Sequence, residues 1–132
     1  MIPADAVINR LLASPTITEI TRVMWAGGLA DPREIPALIV QVAERPAYPS
    51  VEASFLDTRA DLTIVALAST YQGAYELAGA ARAVLHGYTL DESGISIGPI
   101  TWDRLDNSSV ADYGQAIVYQ VPQVFTCNIR RA

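Results

Sequence analysis

Residues 62–87, LTIVALASTYQGAYELAGAARAVLHG, decide the fold class. Leu62 to Ala68 is an apolar run of strand length, and it leads directly into a helix with both ends marked. Ser69 and Gln72 form an S-x-x-Q capping box, in which a hydroxyl and a side-chain amide can each satisfy an orphan backbone N–H. Gly87 stands where a left-handed residue closes a helix. Between them Ala74, Leu77, Ala78, Ala81, Val84 and Leu85 recur at helical spacing and make one apolar face. A strand feeding an amphipathic helix makes the chain a mixed α/β protein. Within the strand, Leu62, Ile64 and Ala66 alternate with Thr63, Val65 and Leu67, and both sets are largely apolar. The pattern predicts a central strand covered on both faces.

Upstream, Pro36 opens ALIVQVAE, Ala37 to Glu44, which is short and rich in β-branched residues and reads as a strand. Pro46 and Pro49 interrupt it, and Val51 to Leu56 is read as resuming it. Asp57-Thr58-Arg59 then makes a polar tip before Asp61 to Ala68 returns, so a long β-hairpin is expected with its tip near Asp57. Further back, Pro3 suits a first helical turn, and Val7, Ile8, Leu11 and Leu12 give the stripe of a short amphipathic helix ended by Ser14-Pro15. Thr16 and Glu19 form a second capping-box pattern, predicting one or two more turns with Ile17 and Ile20 inward. Arg22 to Trp25 is a short strand that stops at Gly27-Gly28, and Leu29 to Glu34 is a loop.

Downstream of the helix, Tyr88 to Gly94 reads as a connector. Ile95 to Trp102 alternates like a strand, with a bend or bulge at Gly98-Pro99. Asp103 to Asp112, DRLDNSSVAD, reads as a loop. Gln115 to Arg130 is a long final strand in which Ile117, Tyr119, Val121, Phe125, Cys127 and Ile129 share one parity. Pro122 places that strand at an edge or on a bulge. The expected fold is α/β of the α+β kind, one domain over residues 1–132. A mainly antiparallel or mixed sheet of four to five strands with a long hairpin is packed by one long helix and a short N-terminal one.

The 132 residues suit one domain with a single core. Charged residues make up only 17%, against about 25% in average soluble domains. The shortfall points either to apolar surface buried between chains or to a well-packed monomer. Net charge is −5, and all nine bases are arginine. An acidic chain lacks the basic patch of a nucleic-acid binder, and Arg130-Arg131 is too small a cluster to supply one. The N-terminus has no signal-peptide pattern. The longest uncharged stretch, Tyr113 to Ile129, falls short of the ~20 apolar residues of a membrane helix. The composition predicts a soluble cytoplasmic protein with no membrane contact.

No catalytic constellation stands out. The one histidine, His86, lies in the last turn of the long helix, where its charge would complement the helix dipole. The one cysteine, Cys127, has the inward parity of the last strand and reads as a buried structural thiol. Zinc clusters and phosphate-binding glycine loops are absent, and no cofactor motif occurs. Asp5, Asp57, Asp61, Asp103, Asp106 and Asp112 could form a carboxylate pair, but most sit at helix starts or in loops, where aspartate caps turns. Gly73 and Gly79 interrupt a good helix at ~1 kcal/mol each relative to alanine; close approach of a neighbour would explain Gly79. Trp25, Trp102, Tyr48, Tyr88 and Tyr113 lie near strand ends or in loops, positions that suit either an interface or closure of the core.

The order of elements resembles the tail terminator, or tail-completion, proteins of long-tailed phages. The resemblance is carried by AVINRLLASPTITEITRVMW, by the proline-led strand IPALIVQV, and by Thr70, Tyr71, Ala74, Leu77, Ala78, Ala80, Arg82 and Leu85 of the long helix. SISIGPITW departs from it. The resemblance implies a non-enzymatic virion protein of the siphovirus type, with no cofactor, at the head–tail junction of the tail, assembled in the host cytoplasm. It implies a homo-oligomeric, usually hexameric, ring that caps the tail tube, stops its polymerisation, and joins the tube protein to a head-side connector or stopper, with DNA passing through its lumen. Interface contacts are then expected at Asp57, Arg59, Gly79, Asp106 and Tyr113. Asp57, Asp61, Asp106 and Asp112 are expected to make the lumen acidic. Another connector or minor tail role of the stopper type, and a small α+β enzyme or ligand-binding domain, are the competing readings.

Overall fold

The computed structural model describes residues 3–26, 34–46, 57–92, 94–112 and 117–131. Helix α1 (Pro3–Leu12) and the single turn α2 (Pro15–Thr18) precede strands β1 (Met24–Ala26), β2 (Ala37–Pro46) and β3 (Asp57–Ala68). The long helix α3 (Tyr71–Leu85) follows. The chain then forms β4 (Leu90–Glu92), β5 (Ile95–Ile97), β6 (Thr101–Leu105), β7 (Ser109–Asp112) and β8 (Ile117–Arg131).

All eight strands belong to one sheet, and β3 is central in it, as its two apolar parities predicted. It pairs antiparallel with β2 on one side (Leu38↔Ala66, Val42↔Leu62) and with β8 on the other (Leu62↔Phe125, Ala66↔Val121). Strand β1 adds to β2 in parallel. The far edge of β8 is taken in turn by β5, β6 and β7, all antiparallel to it. Among the described residues the sheet therefore has eight strands rather than four to five. The expected fourth strand is one path along β8 broken at Gly98-Pro99-Ile100 and again at Asp106-Asn107-Ser108, and β4 turns the expected connector into a hairpin with β5.

The same path corrects two further expectations. Asp103 to Asp112 is largely strand, because β8 offers a continuous edge against which even DRL and SVAD can pair. Pro122 is neither at an edge nor on a bulge of β8, which lies between β3 and β6–β7. Its carbonyl accepts the Asp106 N–H (3.0 Å), so its imide nitrogen faces the same break between β6 and β7. The missing donor falls where there is no strand to receive it.

The hairpin is also displaced. Asp57, Thr58 and Arg59 are paired residues of β3, opposite Arg130, Ile129 and Asn128, and Pro46 of β2 pairs with Thr58. They are not the tip. The expected resumption at Val51 to Leu56 falls outside the described residues.

Helix α3 starts one residue later than the capping box implied. Thr70 is the N-cap, and its Oγ1 accepts the Gly73 N–H at 3.0 Å. Gln72 instead donates to Glu76 one turn on. A Cβ on Gly73 would lie 3.1 Å from that capping oxygen, which explains the glycine. Gly87 takes φ +82°, the left-handed exit expected of it. Ala74, Leu77, Ala78, Ala81 and Leu85 are buried against the sheet. In α1 the buried residues are Ala6, Val7 and Leu11. The turn α2 begins at Pro15 with Ser14 as its N-cap position, not at Thr16, so the proline opens a helix rather than only ending one. Ile17 is buried there but Ile20 is exposed.

One core joins the three helices to one sheet face, through Leu38 and Val40, Leu62, Ile64 and Ala66, and Val121, Phe125 and Ile129. Truncating a side chain such as Leu77 or Phe125 in it costs about 2–5 kcal/mol. The opposite face carries a small second cluster of Ala37, Leu67 and Val118, flanked by Trp25, Ile35, Ile39 and Val65. Among the described residues no helix packs on that face, so the expectation of cover on both sides is met by helices on one side only.

Candidate functional site

The sequence-predicted site residues do not converge on one place. Arg59 and Asp61 share the parity of β3 that faces away from the helices, and Asp57 enters the same strand opposite Arg130. Asp106 lies at the break between β6 and β7, where it accepts from Arg104 Nε at 3.0 Å; Asp103 takes another arm of the same guanidinium. The two carboxylates raise the pKa of Arg104, through hydrogen bonding first. Asp112 ends β7 opposite Ile117. The four acids expected to share a lumen wall are thus spread over β3, the β6–β7 break and the end of β7. Tyr113, like Tyr48, lies outside the described residues. Gly79 is exposed on α3, and a Cβ there would meet nothing within 4 Å.

Cys127 is buried beside β3, as its parity predicted. Burial, with Glu44 and Asp61 adding to it, pushes its thiol up to about 11. A thiol held protonated at neutral pH is not a nucleophile. His86 is the C-cap of α3, but its Nδ1 accepts the Trp102 backbone N–H at 3.1 Å. That hydrogen bond ties the end of α3 to β6. Among the described residues no group of three His, Cys, Asp or Glu side chains could hold a metal ion. Among the same residues no helix is long and apolar enough to cross a membrane.

Polar side chains instead key the helix to the sheet. Gln123 is 1% exposed, within the apolar parity of β8. Its Nε2 donates to the Ala78 carbonyl at 2.8 Å, and its Oε1 accepts the Trp102 indole N–H at 3.2 Å. The Arg82 guanidinium lies 3.7 Å from the centre of the Trp102 ring. Ala78, Arg82 and His86 lie four residues apart, so one row of α3 holds Trp102 directly through Arg82 and His86 and, at Ala78, through Gln123. Trp102 therefore closes the core. Tyr88 does likewise under the Arg10 guanidinium, 4.3 Å from its ring centre. The role of Gln123 escaped the sequence reading, though a glutamine in an apolar parity was its signal.

Toward its N-terminus the same side of α3 is open. Tyr71 packs on Tyr119 (ring centres 4.4 Å) and near Tyr75 (6.4 Å). Val110 pairs with Tyr119, and Ile117 stands two residues before it in β8. Tyr71, Tyr75, Val110 and Ile117 are all exposed, Ile117 by 52% and Tyr75 by 47%. Gly79 continues the Tyr71–Tyr75 row. Apolar side chains gathered on one edge, in a chain short of charge, mark a protein–protein surface rather than a pocket for chemistry.

The family model described as "Tail completion protein gp17" matches residues 5–121. The chain belongs to the tail completion protein family. It is thus a structural protein of phage tails, as its resemblance implied. The family match runs from α1 into β8 and takes in the α3 row, Trp102 and the aromatic edge. A search of curated protein sequences returns no match. Among solved structures, a chain of one described as "Virion of native gene transfer agent (GTA) particle" is similar, with a TM-score of 0.71 and 15% identity. The alignment covers 97% of this tail completion family member and 94% of that chain. At that identity the likeness is one of fold.

Proposed function

We propose that the chain, acting as one domain, assembles into a ring, usually of six copies, that caps the phage tail tube. The ring ends tube polymerisation and forms the joint to the head-side connector. It is a virion component of the head–tail junction and has no enzymatic role. The observation that carries this reading is the family match over residues 5–121. The exposed aromatic edge and the unreactive Cys127 support it, since they suit assembly better than catalysis.

Deletion of the gene tests the reading. A terminator's loss gives overlong tails detached from heads; normal-length tails with DNA leaking from heads would mark a stopper instead. In this reading DNA passes through the lumen without binding, and the net charge of −5 supports that, because like charges repel the backbone. Charge reversal of Asp57, Asp61, Asp106 and Asp112, strand by strand, should slow genome passage only for the acids that line the lumen. Unchanged ejection in every variant would sink the lumen assignment.

A further inference from the structure

We propose that residues 47–56 of one copy seat on the apolar strip beside α3 of the next, so that copies join end to end. The inference rests on the ring reading and names the contact that closes the ring.

Four elements build the strip. Tyr71 and Tyr75 stand one turn apart on α3, and Tyr71 packs on Tyr119 of β8. Val110 of β7 pairs with Tyr119, and Leu105 of β6 pairs with Gln123. Cross-strand partners point to one face, so Val110 and Leu105 stand on the sheet face that carries α3. Tyr71, Tyr75, Leu105 and Val110 are exposed by 39, 47, 47 and 49%. They make up four of the six large apolar side chains exposed among the described residues, so this is the surface that gains most from being covered.

The chain itself supplies the occupant. Residues 47–56, AYPSVEASFL, join Pro46 of β2 to Asp57 of β3 and contain Tyr48, Val51, Phe55 and Leu56 against a single charge, Glu52. Residues 27–33 and 113–116, by contrast, contain one large apolar side chain each, Leu29 and Tyr113. Pro46 pairs with Thr58, so the segment is tied at both ends to one place. A stretch of that length so tied reaches about 20 Å at most. Tyr119 pairs with Ala68, at the far end of β3 from Asp57, which is about 36 Å away at the rise of a strand. The segment therefore cannot reach the Tyr71–Tyr119 pair of its own chain, but it can reach that of a copy set end to end with it. The two surfaces are unlike and are anchored at opposite ends of β3, so the contact is head-to-tail, the kind that generates a ring when the rotation closes. Because one chain carries both halves, the occupant of the strip is a second copy rather than a tube subunit.

Cross-linking tests it, because Cys127 is buried. Ala53→Cys and Ser54→Cys are each combined with Gln72→Cys and with Gly79→Cys, and the purified proteins are treated with a short bismaleimide. At least one double variant should give a covalent ladder up to the full ring. Its two single variants should give only dimers when mixed and no cross-link alone. A cross-link from a single variant alone would mean that like surfaces meet, and one within a double-variant monomer would mean that the segment reaches its own strip; either overturns the proposal. Rings by native mass spectrometry with no cross-link in any double variant would overturn it while leaving the ring reading intact; no rings from the unsubstituted protein would overturn both. Phe55→Ser and Tyr75→Ser should each raise the concentration needed for ring formation about tenfold or more without lowering the melting temperature of the monomer. Together they should do little more than the worse of the two, since both remove one contact, whereas fully additive effects would place them in separate contacts and count against it. If their rings form normally and only tube capping is lost, the strip serves the tube and the proposal fails.

Discussion

Cys127 is where one residue's chemistry shows the environment most clearly. Its raised pKa, about 11 against an ordinary 9.0, makes the neutral thiol the form that the fold accommodates. Its contribution to stability is present in full below pH 9 and is lost as pH rises toward 11. We expect up to about 2–3 kcal/mol of alkaline destabilisation from this group, and Cys127→Ala should flatten that part of the pH–stability curve in urea denaturation. An equal loss in both proteins between pH 9 and 11 would contradict it. Gln123 is the second residue with a measurable role. Gln123→Leu removes the partner of the Trp102 indole and should cost about 1–3 kcal/mol, seen as a lower urea midpoint at unchanged slope. The inward parity of β8 made Cys127 legible in the sequence. Gln123 was passed over because parity says which way a side chain points, and only the approach of α3 shows that a carbonyl and an indole wait there.

Among the elements, α3 and its caps were the most legible, since local hydrogen-bonding chemistry determines them. The one-residue shift from Ser69 to Thr70 shows the limit: both are good caps, and the end of β3 decides between them. Thr70→Ala should cost about 1 kcal/mol, and Ser69→Ala close to nothing, by thermal melting; equal losses would return the cap to Ser69. The long strands β2, β3 and β8 were legible from periodicity. The path along β8 was legible through β5 to Trp102 but not beyond, because polar segments such as DRLDNSS carry no apolar alternation and pair only because the edge of β8 is there to receive them. Asp57 was misplaced for a related reason: a polar triplet between apolar runs looks like a turn, although here it is the start of β3. The candidate surface was legible only in part. Gly79 drew notice as a helix-interior glycine, but Tyr71, Tyr75, Val110 and Ile117 come together only through the register of β7 on β8.

At the scale of the whole molecule, the helices cover one sheet face and an edge of aromatic and aliphatic side chains remains open. We propose that Gly79 connects that arrangement to assembly. Since nothing lies near it, Gly79→Ala should stabilise the monomer by about 0.5–1 kcal/mol through helix propensity. Gly79→Leu should weaken the ring while leaving the monomer folded, if a neighbouring copy approaches there; native mass spectrometry of both variants separates the effects. A glycine kept at a cost to the helix then has its reason between subunits rather than within one. The central claim, that the ring ends tube growth, is tested most directly by measuring tube length by negative-stain microscopy as purified protein is added to polymerising tail tube protein. The account predicts that elongation stops once about one ring per tube is present, with a cap visible at one end. Continued elongation with rings present in excess would contradict it.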